Sequence, residues 1–235
     1  MDNATVYLQP AFILQHRKFR ETSLILDVLT RDYGIVSILA KGVRKKKSKT
    51  AGLLLSFSAL KLSYLGKNEL KILTHVELEP STIKLKGISL YCAFYVNEIV
   101  RCFLHKNDPH PEIYSEYQRC LKMLANSTDV EQVLRNFELN LIELIGYGIQ
   151  LTIDVSTETQ VQSLKKYCFL GETGMIEDVK GYVTGSTLFA MEARESLSEQ
   201  ALYEAKQLMR RIIDFQLQGK ELKSRAVLAK IIKEL

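Results

Sequence analysis

The feature that most constrains the fold is a change of apolar period at Pro80. Before it, short runs of branched and apolar residues alternate with turn signals, the pattern of a small antiparallel sheet. Phe12-Ile13-Leu14 leads into the polar tip His16-Arg17-Lys18-Phe19-Arg20. Residues 23–30 (SLILDVLT) and 35–40 (IVSILA) follow, separated by Arg31-Asp32-Tyr33-Gly34, where glycine is free to take positive φ. Residues 53–64 and 70–77 supply two more strands around Gly66-Lys67-Asn68. Five short strands within about 70 residues fit a small barrel of OB type. After Pro80 the apolar residues recur close to a helical period: Leu90, Phe94, Ile99 and Phe103, then Ile113, Tyr117, Leu121 and Leu124, then Val133, Phe137, Leu141 and Leu144. Asp129 is placed to cap the third helix and Gly146 to end it. Ser196-Leu197-Ser198-Glu199 reads as a capping box opening a helix to about Leu217, and a short helix starts near Ser224. From about 148 to 185 the pattern is weak and holds Gly171, Gly174, Gly181 and Gly185, an irregular insertion with room for a hairpin. The expected fold class is α+β: an OB-fold β-barrel over 1–80, then an all-helical domain over 81–235 with that insertion.

Charge separates the two parts. Residues 1–80 carry 13 Lys and Arg against 7 Asp and Glu, a net +6, while 81–235 carry 19 against 20, a net −1. The excess lies in the expected barrel, as for a polyanion-binding module joined to a neutral body. Its densest part is Lys41-Gly42-Val43-Arg44-Lys45-Lys46-Lys47-Ser48-Lys49, six cations in nine residues. Gly42 and Ser48 make it a loop, and phosphate binding uses such rows of cations through counterion release. Arg17, Lys18 and Arg20 form a second cluster in the first hairpin, and Arg31 lies in the next turn. On an OB-type barrel these loops can line one groove. Phe19, Tyr33, Phe57 and Tyr64 are the aromatics available for base stacking; each is equally at home in a core.

Little points to catalysis. There is no phosphate-binding GxxxxGK[ST] loop, no HExxH and no GxSxG. His105 and His110 flank a short loop that reads as a solvated connection rather than a metal site, and Glu138 and Glu143, five apart, do not share a helix face. Cys92, Cys102, Cys120 and Cys168 form no CxxC pair, which fits a reducing compartment. No run approaches the roughly 18 apolar residues of a membrane helix, and residues 1–12 lack the basic and apolar regions of a secretion signal. A cytoplasmic, non-enzymatic protein without metal or other cofactor is expected.

Four stretches in order resemble the RecO family. They are Glu21-Thr22-Ser23-Leu24-Ile25-Leu26-Asp27-Val28-Leu29-Thr30 with Gly34 and Ala40-Lys41-Gly42-Val43-Arg44; Ile88-Ser89-Leu90-Tyr91 with Tyr95-Val96-Asn97-Glu98-Ile99; Leu134-Arg135-Asn136-Phe137-Glu138-Leu139 with Leu144-Ile145-Gly146-Tyr147-Gly148; and Gly219-Lys220-Glu221-Leu222-Lys223-Ser224-Arg225. The resemblance implies a recombination mediator in DNA repair. It implies binding of single- and double-stranded DNA, strand annealing, contact with the C-terminal tail of single-stranded DNA-binding protein, and loading of RecA together with RecR. Many family members carry a four-cysteine zinc site in the insertion; here that region has only Cys168. An acidic tail ending in an apolar residue needs an apolar groove and a cation, for which Val133, Phe137, Arg135 and, on the preceding helix, Lys122 are the candidates. An RNA-binding OB-fold protein and a partner-recruiting adaptor are the alternatives, since both DNA and RNA demand the same phosphate-binding cations.

Overall fold

The computed structural model describes residues 5–80 and 83–234. Two compact units emerge: one formed by the chain up to Asn126 together with the segment from Ser224, the other by Ser127–Lys223. The expected boundary after Pro80 adjoins Ser81 and Thr82, which lie outside the described residues. Among the described residues, no helix is long and apolar enough to cross a membrane.

The first unit is built on a closed barrel. Strands β1 (Thr5–Phe19), β2 (Ser23–Thr30), β3 (Gly34–Ala40), β4 (Leu60–Leu65) and β5 (Leu70–Leu78) pair in the order β1-β2-β3-β5-β4. Only β3 and β5 run parallel. Closure depends on β1, which is long enough to pair with both β4 and β2. Register shifts between Val6 and Gln9 and between Ile13 and Gln15 bend it around the barrel. The unbroken run Ala11-Phe12-Ile13-Leu14 is buried on both faces. Ala11 and Ile13 join the barrel core with Leu26, Val28, Val36, Ile38, Leu60 and Leu62. Phe12, on the other face, packs its ring 5.1 Å from that of Tyr117.

Helices α1 (Gly87–Phe103), α2 (Pro111–Asn126) and α6 (Lys223–Glu234) complete this unit. The β1 irregularity leaves the Leu14 carbonyl to be satisfied from outside the barrel, and Asn97 of α1 donates to it at 2.8 Å. Tyr117 of α2 in turn donates to Asn97 Oδ1 at 2.5 Å. Gly34 has φ +65°, as its turn requires, and a Cβ there would lie 2.1 Å from the Asp108 carbonyl oxygen. The absent side chain lets the α1–α2 connection lie against β3, where Asn107 N–H donates to Ile35 O at 3.0 Å. Two expectations are corrected. Residues 53–59 are turns rather than strand; Leu54 enters the barrel core and Phe57 is buried at φ +67°, so their apolar character reflects anchoring without a ladder. In α1 the buried face is Cys92, Ala93, Val96, Ile99 and Val100, and Phe94 is left 47% exposed. That helix is apolar nearly all round, so spacing alone cannot select its inner face.

The second unit contains α3 (Val130–Leu144), α4 (Gly185–Glu192) and α5 (Glu199–Gln216), with the insertion between α3 and α4. Asp129 caps α3 by accepting from the Gln132 amide, and Gly146, at φ +85°, ends it. The cap of α5 is Ser198, which accepts from the Ala201 amide. Ser198 thus takes the position expected for Ser196, and no reciprocal box forms. The insertion is more ordered than its sequence suggests: β6 (Ile153–Asp154) pairs with β7 (Thr159–Gln160), and β8 (Lys166–Leu170) lies between β9 (Gly174–Glu177) and β10 (Val183–Thr184). The buried Glu204 carboxylate of α5 ties this region together, accepting from Thr184 N and Oγ1, Thr187 Oγ1 and Gln200 Nε2.

Candidate nucleic-acid interface

The turn between β1 and β2 and the loop leaving β3 lie at the same end of the barrel, because β2 and β3 are antiparallel with Leu24 opposite Ala40. Arg44 joins them. Its backbone N–H donates to the Thr22 carbonyl at 2.8 Å and its Nη1 to the Arg20 carbonyl at 3.1 Å. Arg20 holds a left-handed φ of 49°, a conformation costing a residue with a Cβ about 1–2 kcal/mol, and the bond from Arg44 supports it. Val43 pins the loop from below: it is 4% exposed and belongs to the barrel core. Tight turns follow, with Lys45 N–H donating to Gly42 O and Ser48 N–H to Lys45 O. The loop is therefore an anchored platform, and Val43, its one apolar residue, is the sequence signal for that.

That end of the barrel bears Arg17, Lys18, Arg20, Lys41, Arg44, Lys45, Lys46, Lys47 and Lys49, all exposed. The single acidic residue in these two segments is Glu21. Among the described residues none of the nine cations is in an ion pair, although other exposed cations of the chain are: Lys106 with Glu69, Arg119 with Glu116, Lys206 with Glu131. Nine cations with no ion-pair partner among the described residues leave a positive field that an external anion can neutralise.

Arg31 does not belong to this surface. It follows β2 at the opposite end, about 25 Å away at the usual strand rise. Its guanidinium makes two hydrogen bonds to Asp32, at 2.9 and 3.0 Å. That pairing holds the Asp32 carboxyl below its usual range. The aromatics also separate. Phe57 and Tyr64 are 5% and 3% exposed and serve the core; burial pushes the Tyr64 hydroxyl well above its ordinary pKa. Tyr33 is exposed but sits in the turn with Arg31. Phe19 is half-buried with the Arg20 guanidinium over its ring at 5.3 Å.

The residues expected to hold a partner's tail are placed differently from the open groove anticipated. Lys122 is exposed and belongs to the first unit; Val133, Arg135 and Phe137 belong to the second. Val133 and Phe137 are 3% and 1% exposed core residues of α3, which packs against α5. Arg135 is buried with them and donates to Glu138 at 2.6 Å. A stripe at three-four spacing looks the same whether it lines a groove or fills a core, and here it fills the core. Glu143 is separately engaged by Arg194, whose Nη2 lies 2.6 Å from both carboxylate oxygens. Among the described residues no three His, Cys, Asp or Glu side chains gather as a metal site would require. His110 lies 3.2 Å from Asp108, an exposed pair in the α1–α2 connection.

Comparison with known proteins places the chain in a family. The family description "Recombination protein O N terminal" matches residues 1–81 and "Recombination protein O C terminal" matches residues 85–226. The chain is similar to the DNA repair protein RecO of Methylococcus capsulatus, 38% identical over 226 residues covering 95% of this chain and 93% of the relative. RecO of Nitrosococcus oceani is 38% identical over 232 residues, covering 96% and 94%. RecO of Photobacterium profundum is 37% identical over 221 residues, covering 93% and 94%. With both halves matched in order and the OB-type barrel in place, the chain belongs to the RecO family of DNA repair and recombination proteins.

Proposed function

We propose that this protein is a non-enzymatic DNA-binding recombination mediator. It binds single- and double-stranded DNA through the nine-cation surface and anneals complementary strands there. With RecR it helps load RecA onto DNA coated by single-stranded DNA-binding protein, whose C-terminal tail is a further partner. The observation that carries the DNA-binding part is the Arg44 link, which merges two basic segments 24 residues apart in sequence into one unpaired cationic platform. Annealing needs two polyanions brought together, and a field contributed by backbone contacts holds either strand without reading its bases. Family membership is what supports the reading of the protein partners.

The test is a titration with matched DNA and RNA oligonucleotides, single- and double-stranded, at several salt concentrations. Binding to DNA should weaken linearly in log affinity against log salt. RNA bound tightly with DNA ignored would replace the reading with an RNA-binding one.

A further inference from the structure

Beside the cationic surface lies a cavity of about 250 Å³, lined by Leu14, Gln15, His16 and Ser56 together with Phe94, Asn97, Glu98 and Arg101 of α1. A water occupies roughly 30 Å³ in the liquid, and small-molecule pockets begin near about 300 Å³, so this space is far larger than a water site. Its wall continues the nucleic-acid surface, because His16 precedes Arg17 and Lys18 on the same strand.

We propose that this cavity is a base-binding pocket for single-stranded nucleic acid, with Phe94 as its stacking ring and Arg101 as its phosphate contact. The inference rests on the nucleic-acid reading above and adds a strand-selective site to it.

Three observations carry it. Phe94 is the most exposed aromatic of α1, at 47%, on a helix whose Cys92, Ala93, Val96, Ile99 and Val100 are buried. Its position is fixed from behind by Phe57, whose ring stands nearly perpendicular at 4.9 Å between centroids. Phe57 itself is held at φ +67°, a left-handed conformation that a β-branched or aromatic residue adopts only where the surroundings impose it. Second, Arg101, seven residues further along the same helix and so near the same face, has no carboxylate within ion-pair distance among the described residues. Third, apart from Leu14 the remaining lining is polar: Gln15, His16, Ser56, Asn97 and Glu98; Asn97 is already bonded to the Leu14 carbonyl and Tyr117, and Glu98 to Ser224, so Gln15, His16 and Ser56 are the groups that would meet a base. An apolar peptide anchor would meet one ring and one leucine among hydrogen-bonding groups, whereas a nucleobase matches an aromatic face bordered by polar groups. Tyr91, 36% exposed and one helical turn before Phe94, can extend the stack to a second base.

Only an unpaired strand offers a free base face. Duplex DNA keeps its bases stacked and contacts the cations alone. The pocket thus separates single-stranded from double-stranded binding, which the cationic surface cannot do by charge.

The test uses fluorescein-labelled oligothymidylate and a duplex of equal length, read by anisotropy at several salt concentrations, with thermal melts of each variant. Phe94→Leu keeps an apolar contact for Phe57 and removes the π-face; Phe94→Tyr keeps the face. Phe94→Leu should weaken oligothymidylate binding by roughly 5- to 150-fold, equivalent to about 1–3 kcal/mol at 1.4 kcal/mol per tenfold. Duplex affinity and both salt slopes should stay unchanged, and Phe94→Tyr should restore single-strand binding. Equal affinity of Phe94→Leu and the parent for oligothymidylate, or parallel loss of both ligands, overturns the pocket while leaving the cationic surface intact. Failure of the parent protein to bind either DNA overturns both readings.

Discussion

Replacing Arg44, Lys45, Lys46 and Lys47 together by Ala tests the cationic surface most directly, because the structure fixes how large the effect can be. Each phosphate neutralised contributes about −0.9 to the slope of log affinity against log salt for duplex DNA and about −0.7 for single strands. Nine cations bound the parent slope at about −8 for duplex, and with Arg101 as a tenth contact at about −7 for single strands. Removing four should flatten these by up to about 3.6 and 2.8 respectively. Lost affinity should be uniform across sequences, because backbone contacts carry no base information. Val43 remains in the core and the Arg44 backbone N–H still donates to the Thr22 carbonyl, so the loop should stay docked on the barrel and the melting temperature should move little, although the hairpin tip loses the Arg44 side-chain bond. Arg31→Ala supplies the internal control. Arg31 lies at the other end of the barrel with its charge met by Asp32, so its removal should leave the slope within error of the parent. The assay is anisotropy between roughly 50 and 300 mM salt, the range over which counterion release is read. An unchanged slope in the quadruple variant, or a loss in Arg31→Ala as large as that of one loop lysine, would refute the assignment of the DNA surface to this end of the barrel.

Two further outcomes follow from the second unit. Burial pushes the Glu204 carboxyl up, but hydrogen bonds from Thr187, Thr184 and Gln200 together hold its pKa below the usual range; its contribution to stability is therefore full above the unfolded value near 4.5 and lost as pH falls through the lower folded value. Urea midpoints measured from about pH 3 to 6 should fall more steeply with acid in the parent than in Glu204→Gln, and parallel curves would contradict this. Arg135→Ala should cost about 3–5 kcal/mol in urea unfolding, because it removes the cation paired with the buried Glu138 carboxylate; Arg135→Met combined with Glu138→Leu should recover most of that loss, and full stability of the single variant would argue against the buried pair.

The barrel is legible in the sequence because its determinants are local. Alternation, the turn at Gly34 and the turn at residues 66–68 each specify strand ends through φ/ψ preference and pattern. Three of the helices are likewise announced by their caps or by proline at the first turn. What cannot be read is which apolar residue faces which neighbour. The run around Leu54 and Phe57 looks like strand to any pattern of hydrophobicity, yet it supplies side chains to a core without entering the ladder. Helix α1 offers apolar residues on every side, so only its partners decide that Ile99 is buried and Phe94 is not. The insertion hides its order for another reason: its strands are two to five residues long, too short for a period to register.

The same distinction explains the site. Charge density is a property of sequence, so the basic loop and the first hairpin are visible in the order of residues alone. Whether a charge is available is a property of packing. Arg31 and Arg135 look equivalent to Arg44 as cations on plausible surfaces, but one is met by an adjacent carboxylate and the other is buried beside Glu138. Arg44 differs because its hydrogen bonds go to neutral backbone carbonyls, at Arg20 by its side chain and at Thr22 by its amide. Those bonds orient the guanidinium without cancelling its charge. An arginine held by carbonyls is both structural and electrostatically free, which lets the residue that joins the two segments also contribute to the field they create. Arg44→Gln should therefore do more damage than Lys46→Gln. Both remove one charge, but only the first also loosens the hairpin tip from the loop, so it should raise amide exchange at Arg20 to Thr22 as well as flatten the salt slope by about one unit. Equal exchange in the two variants would show that the link is not what holds the surface together.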